Sequence, residues 1–207
     1  EVEGAEKYLQ GVAGILVPGG FGERGTEGKI KAAQFAREKK IPYLGICLGM
    51  QMAVIEFSRN IVGLKGANSS EMDADCPHHV IDLMEDQKQV QNKGGTMRLG
   101  AWDCAIEKGT KAFNAYNSEL ISERHRHRYE FNNDYLQQFQ DAGMVASGTN
   151  PETGLVEIIE IPTHPFFIGV QYHPELKSSV ENPAALFVGF IAAAKKYNDQ
   201  STSDKKK

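Results

Sequence analysis

The same local pattern occurs twice near the start of the chain: an apolar run, a glycine-containing turn and a helical pattern. The apolar run 12–20 closes with Pro-Gly-Gly and precedes a predicted helix over 26–40. The apolar run 41–46 leads through a second glycine-containing turn into a predicted helix over 49–60. A strand followed directly by a helix, twice in succession, is typical of parallel strands joined by helical crossovers. The sequence therefore predicts an α/β fold with a mostly parallel central sheet and helices on both faces.

The second half of the chain supplies further elements of both kinds. We predict a helix, two strands and a closing helix, over 132–143, 155–161, 165–172 and 183–197 respectively. The glycine-rich stretch between 63 and 100 predicts long functional loops or lids.

The domain is predicted to span 1–197, and the polar residues 198–207 are predicted to form a disordered tail. Because the sequence begins without Met inside an acidic segment, we expect the domain to be part of a longer enzyme.

The charge balance argues against some classes of partner. The 207 residues carry 23 basic and 27 acidic side chains, a net charge of −4, and the two signs are interspersed. This pattern disfavours nucleic acid and anionic membranes as partners. No apolar run approaches the roughly 20 residues that span a bilayer. Three cysteines without a CxxC pair argue against a disulfide framework and favour a reducing, cytoplasmic setting.

Cys47 lies between two glycines, in Gly-Ile-Cys-Leu-Gly, where the second predicted strand gives way to a helix. This is the pattern of a nucleophile elbow, in which a sharp turn exposes a reactive side chain at the carboxyl end of a sheet. The helix amino terminus stabilises a thiolate placed there, and the next backbone N–H points to where an oxyanion forms. A lone cysteine after an apolar strand is also commonly a core residue. On Cys47 alone, the catalytic and structural interpretations are equally supported.

A base and an orienting carboxylate for this thiol occur together near the end of the chain. His173 follows the predicted strand 165–172, and Glu175 stands two residues further on. If strand geometry continues through Pro174, both side chains project to the same side and the carboxylate can fix the imidazole tautomer. The pairing favours a catalytic role for His173 over that of an ordinary strand-end histidine.

The remaining histidines lack such a partner. His125 and His127 alternate with arginines in 124–128, and an H-x-H pair could hold zinc, but no further ligand stands at a suitable spacing. We therefore expect no metal site. The arginines have two interpretations, a solvated basic face or a clamp for a carboxylate. The pattern alone favours the solvated face.

Three motifs in chain order resemble those of class I glutamine amidotransferases. They are the Pro-Gly-Gly-Phe-Gly loop, the cysteine elbow and His-Pro-Glu, at 18–22, 45–49 and 173–175. Three further segments resemble the glutaminase domains of CTP synthases, at 67–72, 94–100 and 123–133. This resemblance implies a flavodoxin-like fold and the hydrolysis of glutamine to glutamate and ammonia through a glutamyl thioester.

The resemblance also implies roles for individual residues. Cys47 is implied to be the nucleophile, His173 the acid and base, and Glu175 the carboxylate that orients the imidazole. The backbone N–H groups of Gly20 and Leu48 are implied to form the oxyanion hole.

Substrate binding is implied for a set that overlaps this one: Gly20, Leu48, Gln51, Glu71 and Arg128. The Glu71 carboxylate would meet the α-ammonium group of glutamine, and the Arg128 guanidinium its α-carboxylate. Arg124 and Arg126 stay open as alternatives to Arg128.

By the same resemblance, the intact enzyme makes CTP from UTP, ATP with Mg²⁺, and glutamine, with GTP as activator. Its partner would be the synthetase (amidoligase) domain of the same polypeptide, in a homo-oligomer. Phe21 and Arg98, the latter in the loop 91–100, are implied to respond to GTP. The chain lacks the GxxxxGK[ST] phosphate loop, so the ATP-dependent step requires the synthetase domain.

Two other functions are compatible with the motifs. A cysteine hydrolase of the same fold could cleave γ-glutamyl peptides, in which case the contacts of Glu71 and Arg128 would be less confining. A non-catalytic regulatory or assembly module could keep the fold with a dormant site. All three triad positions are filled in this sequence, which favours an enzyme.

Overall fold

The computed structural model describes residues 5–83 and 97–204. The helices are α1 Ala5–Leu9, α2 Thr26–Lys39, α3 Leu48–Phe57, α4 Lys111–Tyr116, α5 Leu136–Ala142 and α6 Ala185–Asp204. The strands are β1 Ile15–Val17, β2 Tyr43–Ile46, β3 Asn68–Ser69, β4 His79–Leu83, β5 Arg98–Ile106, β6 Leu120–His127, β7 Tyr129–Phe131, β8 Val145–Thr149, β9 Val156–Glu160 and β10 Phe167–Val170. The short helical turns are Ser58–Val62, Asn133–Tyr135 and Pro174–Leu176.

The described strands form a seven-stranded sheet in the order β1-β2-β10-β9-β8-β5-β6, beside a small sheet β3-β4-β7. Pairing is parallel from β1 through β2 to β10 and antiparallel from β10 to β6. The α/β class is confirmed. The sheet is mixed, and its antiparallel half is larger than the strand–helix repeat alone predicted.

Helices cover both faces of the large sheet, as predicted. The apolar strand β2 supplies both cores because its side chains alternate: Tyr43 packs with the core of α2, α3 and α5, whereas Leu44 packs with the core of α4 and α6. Since β2 is buried throughout, it reads as a continuous apolar run, which is typical of a central parallel strand. The elbow at Cys47 therefore starts from the centre of the molecule.

Two sequence-based expectations need correction. The closing helix α6 continues to Asp204, so residues 198–204 are helical where we expected a disordered tail. Hydroxyl groups bond back to the preceding turn there, from Thr202 to the Asn198 carbonyl and from Ser203 to the Asp199 carbonyl. Residues 205–207 lie outside the described residues. Among those described, no helix is long and apolar enough to cross a membrane.

The second correction concerns the stretch predicted to be loops. It contains β3, β4 and the start of β5, and β5 pairs with β6 along eight positions from Arg98 opposite His127 to Ala105 opposite Leu120. The predicted loop 91–100 lies outside the described residues up to 96. The long antiparallel pair of β5 and β6 brings the arginine–histidine run 124–128 beside the elbow.

Candidate active site

The turn at Cys47 is strained in the way that a nucleophile elbow requires. Its φ of 50° and ψ of −104° are values that residues with side chains rarely adopt. A Cβ on Gly45 would lie 2.6 Å from the carbonyl carbon of Gly49, and a Cβ on Gly49 would lie 2.1 Å from the carbonyl oxygen of Val17. Neither position has room for a side chain, which explains the two glycines around the cysteine.

Neighbouring elements hold the backbone of Cys47 in this conformation. Its N–H donates to the Val170 carbonyl at 2.7 Å, and its carbonyl accepts from the N–H of Gln51 at 3.2 Å. The sulfur therefore lies at the amino end of α3 and beside the carboxyl end of β10. The side-chain amide of Gln171 approaches it, with Nε2 3.7 Å from Sγ.

His173 and Glu175 form the predicted pair. Nδ1 of His173 lies 2.6 Å from Oε1 of Glu175, and because a carboxylate only accepts, Nδ1 carries the proton. The N–H of His173 donates to the Arg124 carbonyl at 2.8 Å, which ties the histidine to β6. The route differs from the expected one: β10 ends at Val170, and the helical turn Pro174–Leu176 brings the carboxylate back to the ring.

The charges of this pair support each other. The pKa of His173 is raised to about 10, because its interaction with the Cys47 side chain and the hydrogen bond to Glu175 outweigh burial. Burial acts to raise the pKa of Glu175, but the bond from His173 brings it below the ordinary value. A protonated imidazole is thus held between a sulfur and a carboxylate.

A cavity of 490 Å³ opens over the sulfur. Seven of the residues that line it were predicted to be functional: Gly20, Phe21, Cys47, Gln51, Glu71, Arg128 and His173. Arg126, which stayed open as an alternative to Arg128, also lines the cavity. Met97, His127 and Tyr129 complete the lining and were not predicted. Tyr129 also accepts, through its carbonyl, a hydrogen bond from the side chain of Gln51 at 3.0 Å.

Two opposite charges face this cavity without an ion-pair partner among the described residues. The Nε of Arg128 is buried and makes no hydrogen bond to the described residues. Glu71 lies close to Tyr129, because burial and then the charge of Glu71 raise the pKa of the Tyr129 phenol. Such charges remain unsatisfied until a ligand supplies groups of opposite sign. A zwitterion such as an amino acid would supply one to each.

Gly20 and Leu48, whose N–H groups were predicted to form the oxyanion hole, lie next to each other. The glycine loop 18–22 lies against the start of α3, since a Cβ on Gly20 would come 3.1 Å from Cδ2 of Leu48. Neither the Gly20 nor the Leu48 N–H donates a hydrogen bond to another described backbone group. A Cβ on Gly19 would lie 2.8 Å from the ring of His173, so the loop also packs on the histidine.

Arg98 lies elsewhere. It is 5% exposed, pairs with Glu130 at 3.4 Å, and contacts Glu157 at close range. With His125 and His127 these residues form what we call the Arg98 cluster. Nδ1 of His125 lies 2.8 Å from Nε2 of His127. Arg98 does not line the cavity, whereas His127 of the same cluster does. Phe21, 90% exposed at the cavity, is free to meet a ligand directly.

Burial dominates the ionisation of the Arg98 cluster. It lowers the pKa of His125 to about 3 and lowers the pKa of His127 well below its ordinary value. It raises the pKa of Glu130 to about 8 and also raises that of Glu157. Within 5–83 and 97–204, no group of three or more His, Cys, Asp or Glu side chains is arranged to hold a metal ion.

The sequence was compared with protein families and with known proteins. Residues 1–193 match the family Glutamine amidotransferase class-I. A CTP synthase of Christiangramia forsetii is 64% identical over 185 residues, which are 89% of this chain and 34% of that protein. A CTP synthase of Flavobacterium psychrophilum is 60% identical over 200 residues, 97% of this chain and 37% of that protein. The chain thus spans about a third of the length of these relatives.

Two solved structures extend the comparison to the fold. The glutaminase domain of Trypanosoma brucei CTPS with bound acivicin has a TM-score of 0.88 and 45% identity, over 94% of this chain and 75% of that one. A putative GMP synthase protein of Thermoplasma acidophilum has a TM-score of 0.64 at 17% identity, over 96% of this chain and 80% of that one. The second likeness concerns the fold alone.

Proposed function

Since the chain belongs to the class I glutamine amidotransferases, among the glutaminase domains of CTP synthases, we propose that it hydrolyses glutamine to glutamate and ammonia through Cys47, His173 and Glu175. The observation that carries the proposal is the shared cavity. The same cavity of 490 Å³ is lined by a strained cysteine and by a histidine that holds a proton. The unpaired charges of Glu71 and Arg128 line it as well. An α-amino acid with a short reactive side chain suits this arrangement.

Binding of glutamine would satisfy the two unpaired charges first. Arg128 receives the α-carboxylate, Glu71 receives the α-ammonium group, and the side-chain amide extends toward Cys47. Gln51 lies on the path, with its own amide held by the Tyr129 carbonyl. Two charge contacts at one end fix the position of the carbonyl at the other, and such positioning lowers the barrier to attack.

The first chemical step forms the thioester. The Cys47 thiolate attacks the amide carbon, and the carbonyl oxygen becomes an oxyanion that the N–H groups of Gly20 and Leu48 can stabilise. His173 gives its proton to the amide nitrogen, the carbon–nitrogen bond breaks, and ammonia leaves. A histidine with a raised pKa is suited to this role because it begins the step protonated.

The second step returns the enzyme to its starting state. The sulfur carries no charge in the thioester, so the largest influence that raises the pKa of His173 is gone. His173 can then accept a proton from water, which attacks the carbonyl carbon and releases glutamate and the thiolate. The chemistry itself thus switches the histidine from acid to base.

The ammonia would be used by a synthetase domain of a longer enzyme, as the relatives' name implies. We propose that this enzyme, a homo-oligomer, aminates UTP to CTP with ATP and Mg²⁺ bound in the synthetase domain, and that GTP activates hydrolysis through Phe21. Cytoplasmic location accords with the three free cysteines.

Replacement of the nucleophile tests this proposal. In the full-length enzyme, Cys47→Ala should reduce ammonia release from glutamine by more than a thousandfold while amination of UTP with added ammonia continues. Cys104→Ala, at a buried cysteine away from the cavity, should retain glutamine hydrolysis. If Cys47→Ala keeps its glutaminase activity, or loses both activities in a folded protein, the proposal is wrong.

Labelling separates the alternative functions. Acivicin, the compound bound in the Trypanosoma brucei domain, should modify Cys47, as located by mass spectrometry, and glutamine should protect better than a γ-glutamyl dipeptide. Better protection by the dipeptide would favour the γ-glutamyl hydrolase. No labelling in the presence of the synthetase domain and GTP would favour a non-catalytic module.

A further inference from the structure

Gln171 is a fully buried polar side chain beside the reactive sulfur. It directly follows β10, and its N–H donates to the Glu157 carbonyl at 2.9 Å, so neighbouring backbone fixes its position. Its Nε2 lies 3.7 Å from Sγ of Cys47, within the range of hydrogen bonds to sulfur. It stands two residues before His173, and both side chains reach the same cysteine. Gln171 does not line the cavity wall.

The hydrogen bonds determine which end of the amide faces the sulfur. The Tyr129 carbonyl can only accept, so Gln51 turns its Nε2 toward it, at 3.0 Å. The same nitrogen lies 3.2 Å from Gln171, whose oxygen must therefore be the atom that accepts. The NH₂ group of Gln171 is left to face Cys47. The hydrogen bonds thus run in one direction, since Gln51 donates to Gln171 and Gln171 donates to the sulfur.

We propose, on the basis of the proposed function, that Gln171 is a positioning residue that donates a hydrogen bond to the Cys47 thiolate and so favours the attacking form of the sulfur. An N–H donor bonds a thiolate much more strongly than a neutral thiol or thioester, because the acceptor carries the charge. The bond is therefore strong before attack and weak in the thioester. It strengthens again as the thiolate leaves during hydrolysis.

Gln171 differs from His173 in a way that gives it a separate role. His173 gives up its proton to the departing ammonia and regains one from water, so the charge that it presents to the sulfur changes during the cycle. The amide of Gln171 has no proton to transfer and donates throughout the cycle. Burial of its side chain excludes water from the same contact, which increases its strength.

The test follows the reactivity of Cys47 without using glutamine. The rate of alkylation by iodoacetamide is measured from pH 5 to 10 on the peptide that contains Cys47, by mass spectrometry of the full-length protein. The variants are Gln171→Met and Gln171→Leu, which keep the size of the side chain but have no donor. Gln138→Met, on the exposed face of α5, makes the same chemical change away from the site.

We expect alkylation at pH 7 to be slower on the order of tenfold in both Gln171 variants, as for loss of one charge-assisted hydrogen bond. The pH of half-maximal rate should rise in both and stay unchanged in Gln138→Met. If neither Gln171 variant folds, Gln51→Met takes their place, because it frees the amide of Gln171 to turn and should raise the same midpoint by a smaller amount. A wild-type rate and midpoint in the folded variants would overturn the proposal.

The readout is independent of hydrolysis. If the wild-type protein does not hydrolyse glutamine but the Gln171 variants still shift the alkylation profile, the proposed function fails and the hydrogen bond to the thiolate stands. If hydrolysis is present and the profile does not move, only the role of Gln171 fails.

Discussion

Two groups of titratable side chains meet near β6, and their histidines hold protons in opposite ways. In the catalytic group, His173 lies between Cys47 and Glu175 and its pKa is raised to about 10. In the Arg98 cluster, burial lowers the pKa of His125 to about 3. Both groups contain carboxylates, so the presence of an acid nearby does not decide the outcome.

The difference lies in what each carboxylate is bonded to. Glu175 bonds His173 directly at 2.6 Å, whereas Glu157 contacts Arg98 closely and leaves His125 at 3.6 Å. Arg98 thus takes the negative charge that would have stabilised a protonated His125, and adds its own repulsion. The permanently charged guanidinium of Arg98 keeps the histidine beside it neutral, and that histidine has a structural role. The catalytic group contains no guanidinium, so His173 stays available for proton transfer.

Removal of the guanidinium should have the largest effect. Arg98→Met leaves Glu157 buried without its partner and should lower the free energy of unfolding by about 3–5 kcal/mol, measured by urea denaturation. Lys108→Ala, which removes an exposed ion pair with Glu119, should cost less than about 1 kcal/mol. A double variant with Glu157→Leu should recover much of the loss. Equal effects of Arg98→Met and Lys108→Ala would contradict this account.

Removal of the negative charge beside His173 should have the next largest effect. Glu175→Gln no longer stabilises the imidazolium, so the rate of glutamine hydrolysis should fall roughly a hundredfold, the scale of general acid–base catalysis. Steady-state ammonia release measures it, and NMR titration should show a lower pKa of His173. The exposed Glu181→Gln is the control. A rate within threefold of wild type would mean that Cys47 alone sets the state of the histidine.

The two histidines should change the free energy of unfolding with pH in opposite directions, and these effects should be the smallest of the three. The folded pKa of His125 lies below its unfolded value of about 6.5, so its contribution is present above that pH and is lost as pH falls toward 3. The folded pKa of His173 is raised, so its contribution is present below about 6.5 and is lost as pH rises toward 10.

Thermal unfolding between pH 4 and 10 checks both signs. His125→Gln should flatten the acid side of the profile and His173→Gln the alkaline side, each by at most about 1.4 kcal/mol per pH unit. Flattening on the same side in both variants would show that the two groups are not opposed.

The sequence was most informative where function restricts the backbone. The glycines beside Cys47 predicted the elbow because no side chain fits at 45 or 49, and the spacing of His173 and Glu175 predicted their contact, although a helical turn rather than a strand produces it. Strand β6 was missed because its buried positions carry Glu123, His125 and His127, so the apolar alternation that marks a strand is absent.

Residues that act through buried polar contacts were equally hidden. Arg98 was expected to respond to GTP, and its partners Glu130 and Glu157 could not be predicted because they lie far along the chain and only the fold brings them together. Gln171 carries no charge and matches no motif for a nucleophile or base, so only its orientation toward Sγ reveals it.

All ten residues of α3 are buried, so this helix has no side turned to water. A surface helix can detach and return while the remainder of a protein stays folded, but α3 cannot open without exposing the core on which the sheet rests. The reactive sulfur is therefore attached to a segment that should open only when the whole domain unfolds. The nucleophile should therefore stay in place from one turnover to the next.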